Sequence, residues 1–582
     1  MAKRWRIHPH DPDRVAALAR AAGIPAVVSQ LLICRGIVEP DDAKIFLDPK
    51  LSALRDPELL PGCTQAAEQI HEAIAQRRRI VVYGDYDVDG MTGTAVLYLC
   101  LRLLGADVGY YIPNRIDEGY GLNAEAIRGK AADGTELIVT VDCGIASVEE
   151  ADLARELGVE LIVTDHHEPG NELPRATVVH PRLPGGSYPF GGLSGSGVAL
   201  KLAWAICQKA SGAKRVGQRM KDFLMQAVGL AAMGTVADMV PLVDENRVLV
   251  RHGLASVSQY PTLGIATLMK VTELHTKREI SSEDVGFTIG PRLNAAGRLG
   301  QPQLAVELLV TDQEDRARQL ADYIHELNEN RQKIERSIQR AANKQANEQF
   351  NPAEDAALVL ADRGWHQGVI GIVAGRLAEK YHRPVVLISR DKVGIKPGVG
   401  SGRSVAGFNL HAALQACDEL LVSHGGHKAA AGLKIEEQNI DAFRAAFCEL
   451  AAEQISEQNR AGEWAIDAEA PLSAFTLQTV EQIERLAPFG QANPRPLLST
   501  TEVTLAGPPR TMGTDGHHLS LQLAQHGVKL RAVAFGGGEW AEQIAAIDGT
   551  IDVAFRPIVN TFRGRRSVEL HLVDWKATGS AD

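Results

Sequence analysis

What this 582-residue chain lacks narrows the field first. Its seven cysteines (Cys34, Cys63, Cys100, Cys143, Cys207, Cys417 and Cys448) are odd in number and scattered, with no C-x-x-C pair. They read as reduced, mostly buried thiols in a cytoplasmic protein, not as a disulfide framework. No long hydrophobic run is present. The most apolar segment, residues 227–243, contains Asp238 and is too short to span a bilayer. The first residues, Met-Ala-Lys-Arg-Trp-Arg, have no apolar stretch behind them, so no signal peptide is expected, and the protein should be soluble with no membrane partner. There is no excess of bases either: 61 Lys and Arg stand against 72 Asp and Glu, a formal charge of −11. Nothing global therefore advertises a polyanionic partner, and any such binding must come from a local site. Internal repeats and low-complexity tracts are absent as well. At this length one core does not suffice, and three or four domains are expected.

What is present begins with Ile80-Val81-Val82-Tyr83-Gly84-Asp85-Tyr86-Asp87-Val88-Asp89-Gly90. The β-branched run reads as a buried strand that stops at Gly84. Three carboxylates follow at spacing two, and Gly90 and Gly93 lead into an apolar helical stretch, 95–104. Like charges this close cannot all stay ionised cheaply unless a cation sits among them, and oxygen-rich sites suit Mg²⁺, Ca²⁺ or Mn²⁺. A solvated acidic turn is the plain alternative. A calcium loop of the D-x-D-x-D-G kind requires Glu six residues beyond its Gly, where this chain has Val96, so that reading fails.

Residues 1–60 read as short helices with Pro-rich breaks, and from 65 to 245 strand and helix alternate, the signature of a covered parallel sheet. Strands are expected at 80–83, 108–112, 137–141, 161–164 and 178–179. Three of them run into polar residues: the Asp85/Asp87/Asp89 set, Asp142, and Asp165-His166-His167. Ligands in open α/β sheets bind at the carboxyl ends of strands, so these groups should converge. Asp238 is a lone charge in an apolar segment and needs a partner, for which a metal would serve. Thr311 to about Phe350 reads as one helix, opened by a Thr311-x-x-Glu314 capping box and carrying Leu320, Ile324, Leu327, Ile334 and Ile338 at helical spacing. Polar on most of its surface, it should join two lobes; Asn351-Pro352 ends it. A second α/β lobe follows, with strands at 357–360 and 384–388 and two Gly-rich polar loops, 400–404 and 424–432. From about 465 the pattern becomes short alternating strands (519–523, 529–535, 551–555, 567–573), which suits a small β-barrel.

Asp85, Asp87, Asp142, His166 and Asp238 thus form a mixed carboxylate–imidazole set from four segments. Nitrogen beside oxygen tilts the metal toward Mn²⁺ and leaves Mg²⁺ open. Several carboxylates able to bridge suggest two ions about 3.5–4 Å apart, which activate a water and neutralise a phosphoryl oxygen. His167 reads either as a further ligand or as a group that orients the scissile phosphate. For each residue alone the plain reading is a hydrogen-bonded polar group at a strand end.

Asp165-His166-His167 after a strand, with D-Y-D-V-D-G upstream, resembles the DHH phosphoesterase superfamily. The segments 112–115, 118–121, 141–144, 193–199, 234–238, 291–298 and 365–371 resemble more closely its RecJ family, single-strand-specific 5′→3′ DNA exonucleases. The loop 425–432 is similar to the phosphate-contacting loop of the DHH-associated domain, and 487–494 to the entry of RecJ's OB-fold domain. The resemblance implies an α/β multidomain protein: an N-terminal extension (1–60), a parallel-sheet DHH domain (61–305), a long connecting helix (306–352), a DHH-associated α/β domain (353–460) and a C-terminal OB-fold β-barrel (461–582). It implies metal ligands at Asp85, Asp87, Asp142, His166 and Asp238, with Asp89 a less direct one. Asp165 and His167 belong to the catalytic motif. Arg115, Ser401 and Arg403 would anchor the 5′-terminal phosphate, and Asn294, Arg298 and His427 would hold phosphates near the metals. Arg suits bidentate phosphate recognition, and Gly-rich loops expose anion-binding N–H groups. The implied partners are single-stranded DNA, a single-stranded-DNA-binding protein and a helicase, for a monomeric enzyme of DNA repair and recombination with Mn²⁺ or Mg²⁺ as cofactor. Taken alone, Arg115 also reads as a surface residue and 425–432 as a helix-entry turn. Tyr111, Tyr120 and Trp365 read equally as base-stacking or core residues. Two other functions stay open: a DHH phosphodiesterase of short oligonucleotides or cyclic dinucleotides, and a non-catalytic DNA-binding scaffold.

Overall fold

The computed structural model describes residues 4–115, 118–119, 121–351, 355–455 and 463–579. The chain divides into two compact units: Met1–Leu54, Pro241–Val243 and Gly462–Asp582 form one, and Arg55–Val240 with Asp244–Ala461 form the other. The first strand, β1 (Arg4–Ile7), belongs to the former.

The larger unit contains two sheets. In the first, β2 (Ile80–Gly84), β3 (Val108–Tyr111), β4 (Leu137–Val141), β5 (Glu160–Thr164) and β6 (Thr177–Val179) run in the order β3-β2-β4-β5-β6, all parallel. Every residue of β2 and β4 is buried, as expected of apolar strands covered on both faces. The chain leaves β2 toward β3 and leaves β4 toward β5, on the opposite side. The crevice of such a sheet therefore opens at the carboxyl ends of β2 and β4. The helix after β2 starts earlier than the apolar run indicated, spanning Val88–Leu103 with Asp87 as its N-cap. Asp87 accepts the N–H groups of Asp89 and Gly90, at 2.9 and 3.1 Å, which draws the motif's glycines into the helix.

The second sheet holds β7 (Leu358–Asp362), β8 (Val385–Ser389), β9 (Gly398–Arg403), β10 (Ser423–Gly426) and β11 (Ala430–Ile435), ordered β10-β11-β9-β8-β7. The two Gly-rich stretches expected as loops are therefore strands, antiparallel across β9 and β11. Glycine lowers strand propensity, but here it is required by packing: a Cβ on Gly400 would lie 2.7 Å from the Leu433 side chain, and one on Gly402 2.9 Å from Leu410. Glycines turn inward at every second position, which sends Ser401 and Arg403 to the other face.

The long helix spans Glu314–Gln349, about 54 Å at ~1.5 Å per residue. The Thr311 capping box does not form. Thr311 terminates a separate helix, Pro302–Val310, and its hydroxyl accepts from Gln313, while Gln313 is the N-cap of the long helix. Leu320, Ile324 and Leu327 are buried in its first half; Ile338, Ala342 and Ala346 join the second lobe's core with Val369, Val373 and Leu377. The helix thus belongs to both lobes. Ile334 is only partly buried, and Pro352 lies outside the described residues.

In the smaller unit, β12 (Glu463–Ile466) pairs in parallel with β1, and β13 (Ala468–Glu469) with β14 (Leu498–Leu505). β15 (Arg510–Met512), β16 (His518–Gln525), β17 (Val528–Ala534), β18 (Ile551–Phe562) and β19 (Arg565–Ala577) complete it. β14 pairs with β18 on one side and with β16 on the other, closing the ring β14-β18-β19-β17-β16 of an OB-type barrel. Its core contains Leu521, Val553, Phe555 and Leu570, and also Leu31, Leu32 and Leu47 from the amino-terminal helices. Residues read from sequence as a separate extension are thus part of the barrel's hydrophobic core. Among the described residues no single helix is long and apolar enough to cross a membrane.

Candidate active site

The polar residues at the strand ends of the first sheet converge as expected. His166 Nε2 lies 3.1 Å from Asp142 Oδ1, 3.5 Å from Asp238 Oδ2 and 4.0 Å from Asp89 Oδ2. Three sets of ligand-type atoms each fall within 4.8 Å: Asp85, Asp87 and Asp142; Asp89, His166 and Asp238; and Asp142, His166 and His167. Asp142 adopts a left-handed backbone, φ +64°. Gly195 faces it, where a Cβ would come within 2.5 Å of Asp142 Oδ1.

The electrostatics of this cluster are unfavourable without a cation. Burial, and then the charge of Asp87, pushes the Asp85 carboxyl well above its ordinary value. Burial with Asp89 and Asp87 does the same to Asp142, and the Asp238 carboxyl is pushed up to about 9 by burial and the surrounding carboxylates. Burial also holds the His166 imidazole neutral, at about 4. Asp85 Oδ1 and His166 Nε2 are buried with no hydrogen-bond partner among the described residues. Carboxylate oxygens and a neutral imidazole facing one point fit a divalent cation of the Mn²⁺ or Mg²⁺ kind.

Two of the motif acids are occupied elsewhere. Asp89 accepts the N–H groups of Gly195 and Ser196, at 2.6 and 3.0 Å, at the N-terminus of helix Gly195–Ser211. Asp165 Oδ1 accepts from His166 N–H (2.7 Å), His167 N–H (3.1 Å) and His167 Nδ1 (2.8 Å), while Oδ2 accepts from Ile145 N–H (2.9 Å). Burial is the largest single influence and opposes its charge, but the His167 bond, the charge of His167 and the Ile145 N–H together outweigh it and hold the carboxyl down at about 2. Burial presses His167 down, but the same bond together with the charges of Asp165, Asp87 and Asp85 raises it on balance. Asp165 therefore orients the two histidines.

Sequence reading missed the residues beneath them. His180, directly after β6, is fully buried; its Nε2 donates to the His167 carbonyl (2.8 Å), and its Nδ1 accepts from Arg182 N–H (3.0 Å). The Arg182 guanidinium donates to the His166 carbonyl and to Glu168. His180 and Arg182 thus grip both carbonyls of the histidine pair. The strand-end rule that found Asp142 and Asp165 finds His180 when applied to β6 as well.

His167 also lines a cavity of about 590 Å³ shared with Tyr86, Arg115, Gln367, Ser401, Arg403 and His427. The rings of His167 and His427 stack at 6.4 Å, with 15° between planes. Arg115 lies over Tyr86, 5.0 Å from the ring centroid. Arg403 Nη1 donates to Ser401 Oγ (3.2 Å) and to the Gly402 carbonyl (2.7 Å), and Arg298 Nη1 to the Gly368 carbonyl (3.1 Å). Burial, then the charges of Arg115 and Arg403, presses Arg298 down to about 9; burial and Arg115 lower Arg403. Asn294 stands half-buried one turn before Arg298 on helix Gly290–Arg298. Trp365 belongs to the core, and Tyr120 lies outside the described residues.

Comparison with known proteins accords with this geometry. The DHH family N-terminal domain matches residues 79–235, the DHHA1 domain 354–453 and the RecJ OB domain 466–574. The single-stranded-DNA-specific exonuclease RecJ of Dickeya dadantii is 37% identical over 572 residues, covering 94% of this chain and 95% of its own. The chain belongs to the RecJ family. RecJ of Bacillus subtilis is 36% identical, covering 98% of this chain and 70% of its own. The crystal structure of Thermus thermophilus RecJ with Mn²⁺ superposes at a TM-score of 0.83 and 33% identity, covering 99% of this chain and 80% of that one. A Mg²⁺ complex of the same protein gives 0.78 and 31%, with 99% and 79% covered.

Proposed function

We propose that this RecJ-family protein is a single-stranded-DNA-specific 5′→3′ exonuclease that releases 5′-mononucleotides. One observation carries the reading: a cation-demanding acid cluster and an arginine-lined, anion-demanding cavity share one wall, at His167. A strand whose 5′-phosphate is held by Arg115, Ser401 and Arg403 would present its first internucleotide phosphate toward the acids. Asp85, Asp87, Asp142, His166 and Asp238 would hold the metal, with Asp89 and Asp165 positioning the ligands from behind. The shared place of Asp142 in two ligand sets suits two ions. Mn²⁺ or Mg²⁺ there supplies an activated water and charge neutralisation at phosphorus.

Arg298, Asn294 and His427 would hold the scissile phosphate. Water oxygen bonds to phosphorus, the P–O3′ bond breaks, and the departing 3′-oxygen takes a proton. The shortened strand again begins with a 5′-phosphate. The barrel unit would bind the remaining strand, in the manner of OB folds. Action in the cytoplasm as a monomer, in DNA repair and recombination beside a single-stranded-DNA-binding protein and a helicase, belongs to the same proposal.

The test uses an oligonucleotide with different fluorophores at its two ends, in Mn²⁺, offered single-stranded, duplexed and beside a dinucleotide. Mononucleotides from the 5′ end of the single strand, with the duplex intact, are expected. Turnover of the dinucleotide alone would make this a short-oligonucleotide phosphodiesterase instead.

A further inference from the structure

The long helix carries a feature that the hydrolytic site does not use. Lys333, Arg336, Arg340 and Lys344 are all exposed, at i, i+3, i+7 and i+11, and so share the face opposite buried Arg331, Glu335, Ile338, Ala342 and Ala346. They rise about 16 Å at ~1.5 Å per residue. Between them the single acid is Glu335, which is buried and paired with Arg331 and Arg376, each at 2.5 Å. Among the described residues only Lys344 of the four meets an acid, Glu348 at 3.9 Å. The first half of the same helix is the reverse, exposing Glu314, Asp315, Asp322, Glu326 and Glu329.

Two ordinary explanations for the stripe fall short. Helix-dipole stabilisation acts within the last turn, and the last turn here carries no base. Intrahelical ion pairing reaches only Lys344, through Glu348 at 3.9 Å, and leaves the other three bases without an acid among the described residues. Arg336–Arg340 and Arg340–Lys344 are like-charged i,i+4 pairs, each of which destabilises a helix. A self-repelling stripe on a chain of net charge −11 calls for an external anion. The open groove along it, about 590 Å³, is flanked only by Ser337 and Ala341. It offers no apolar or aromatic anchor of the kind protein interfaces require.

We propose that this face is a second strand-binding track, which takes the phosphate backbone of single-stranded nucleic acid distal to the 5′ end held in the catalytic cavity. It rests on the strand being the substrate, and it adds affinity for long strands without touching the chemistry. Removing four phosphate contacts should lower the slope of log K against log salt by about 3, at ~0.7 per contact.

The experiment measures, by fluorescence anisotropy in EDTA, binding of a long and a very short 5′-phosphorylated oligonucleotide to the full chain and to its Lys333→Gln/Arg336→Gln/Arg340→Gln/Lys344→Gln variant. Long-strand affinity and salt slope should fall, short-strand affinity should hold, and turnover of the short strand in Mn²⁺ should be unchanged. An Arg336→Gln/Arg340→Gln variant, which relieves repulsion and so keeps the helix, should show about half the change in slope. An unchanged slope for the long strand would overturn the track, as would equal weakening of the short one. Undiminished cleavage alongside an unchanged slope removes the track and leaves the exonuclease; no cleavage by the unmutated protein removes the exonuclease alone.

Discussion

The acid cluster and the arginine cavity solve the same problem with opposite materials. Each gathers like charges out of water, and each is restrained by the backbone. Around the acids, N–H groups at helix and loop termini hold Asp87, Asp89 and Asp165. Around the arginines, carbonyls of glycines hold Arg298 and Arg403. The acid side rests on fully buried parallel strands, whereas the basic side rests on a partly exposed Gly-rich antiparallel hairpin. Buried strands suit a constellation that must not shift, and glycine strands let a phosphate approach the main chain. Neither half is electrostatically content alone, so cation and phosphate should each favour the other's binding.

The sharpest way to break the comparison is on the acid side. Asp142→Ala should cut turnover by about 10³-fold or more, with single-strand binding nearly intact, because it removes charge at the reacting phosphate and no strand contact. Near-normal turnover in steady-state assays would end the metal assignment. Next comes the basic side: Arg403→Ala should erase a preference for 5′-phosphate over 5′-hydroxyl ends of about 10–100-fold, the worth of a charged hydrogen bond. If the unmutated protein cuts both ends equally well, the anchor does not exist.

The carbonyl grip beneath the histidines sharpens the contrast further. His180→Ala should weaken Mn²⁺ binding by about 10-fold, near the lower end for a supporting residue of a metal site, while leaving strand affinity in EDTA alone. Calorimetric titration with Mn²⁺ reads this directly, and a parental affinity in the variant would reduce His180 to a packing residue. The smallest effect lies away from both charge clusters. Asp284, in a capping box with Ser281 and 2.5 Å from Lys277, is held below the ordinary carboxylate range, its partners outweighing burial. Its stabilisation is present above the ordinary value of about 4 and is lost as pH falls through the depressed one. Asp284→Asn should cost about 1 kcal/mol at neutral pH and nothing in strong acid. Hydrogen exchange along 282–298 at the two pH values would reveal a discrepancy.

Legibility followed the same division. β4 matched its expected bounds, and the acids at strand ends were found because a parallel sheet writes its crevice into local sequence: apolar run, then carboxylate. The basic side was blurred. Gly398–Arg403 read as a loop because what makes it a strand is Leu433 and Leu410, residues distant in sequence. The hydrogen bonds of Asp89 could not be read from sequence, because a carboxylate's partners depend on which N–H groups face it, and those of Gly195 and Ser196 come from a helix 106 and 107 residues away. The amino-terminal helices carried no sign that Leu31, Leu32 and Leu47 complete a core built mostly from residues beyond 468.

The left-handed backbone at Asp142 has a consequence for any effort to toughen this protein. A non-glycine residue there carries roughly 1 kcal/mol of conformational cost, and its carboxylate repels its neighbours besides. Glycine at 142 would relieve both at once. A screen for heat resistance with no assay of turnover would therefore drift toward Asp142→Gly and enrich inert protein, so thermostability at this position is a warning and not a gain.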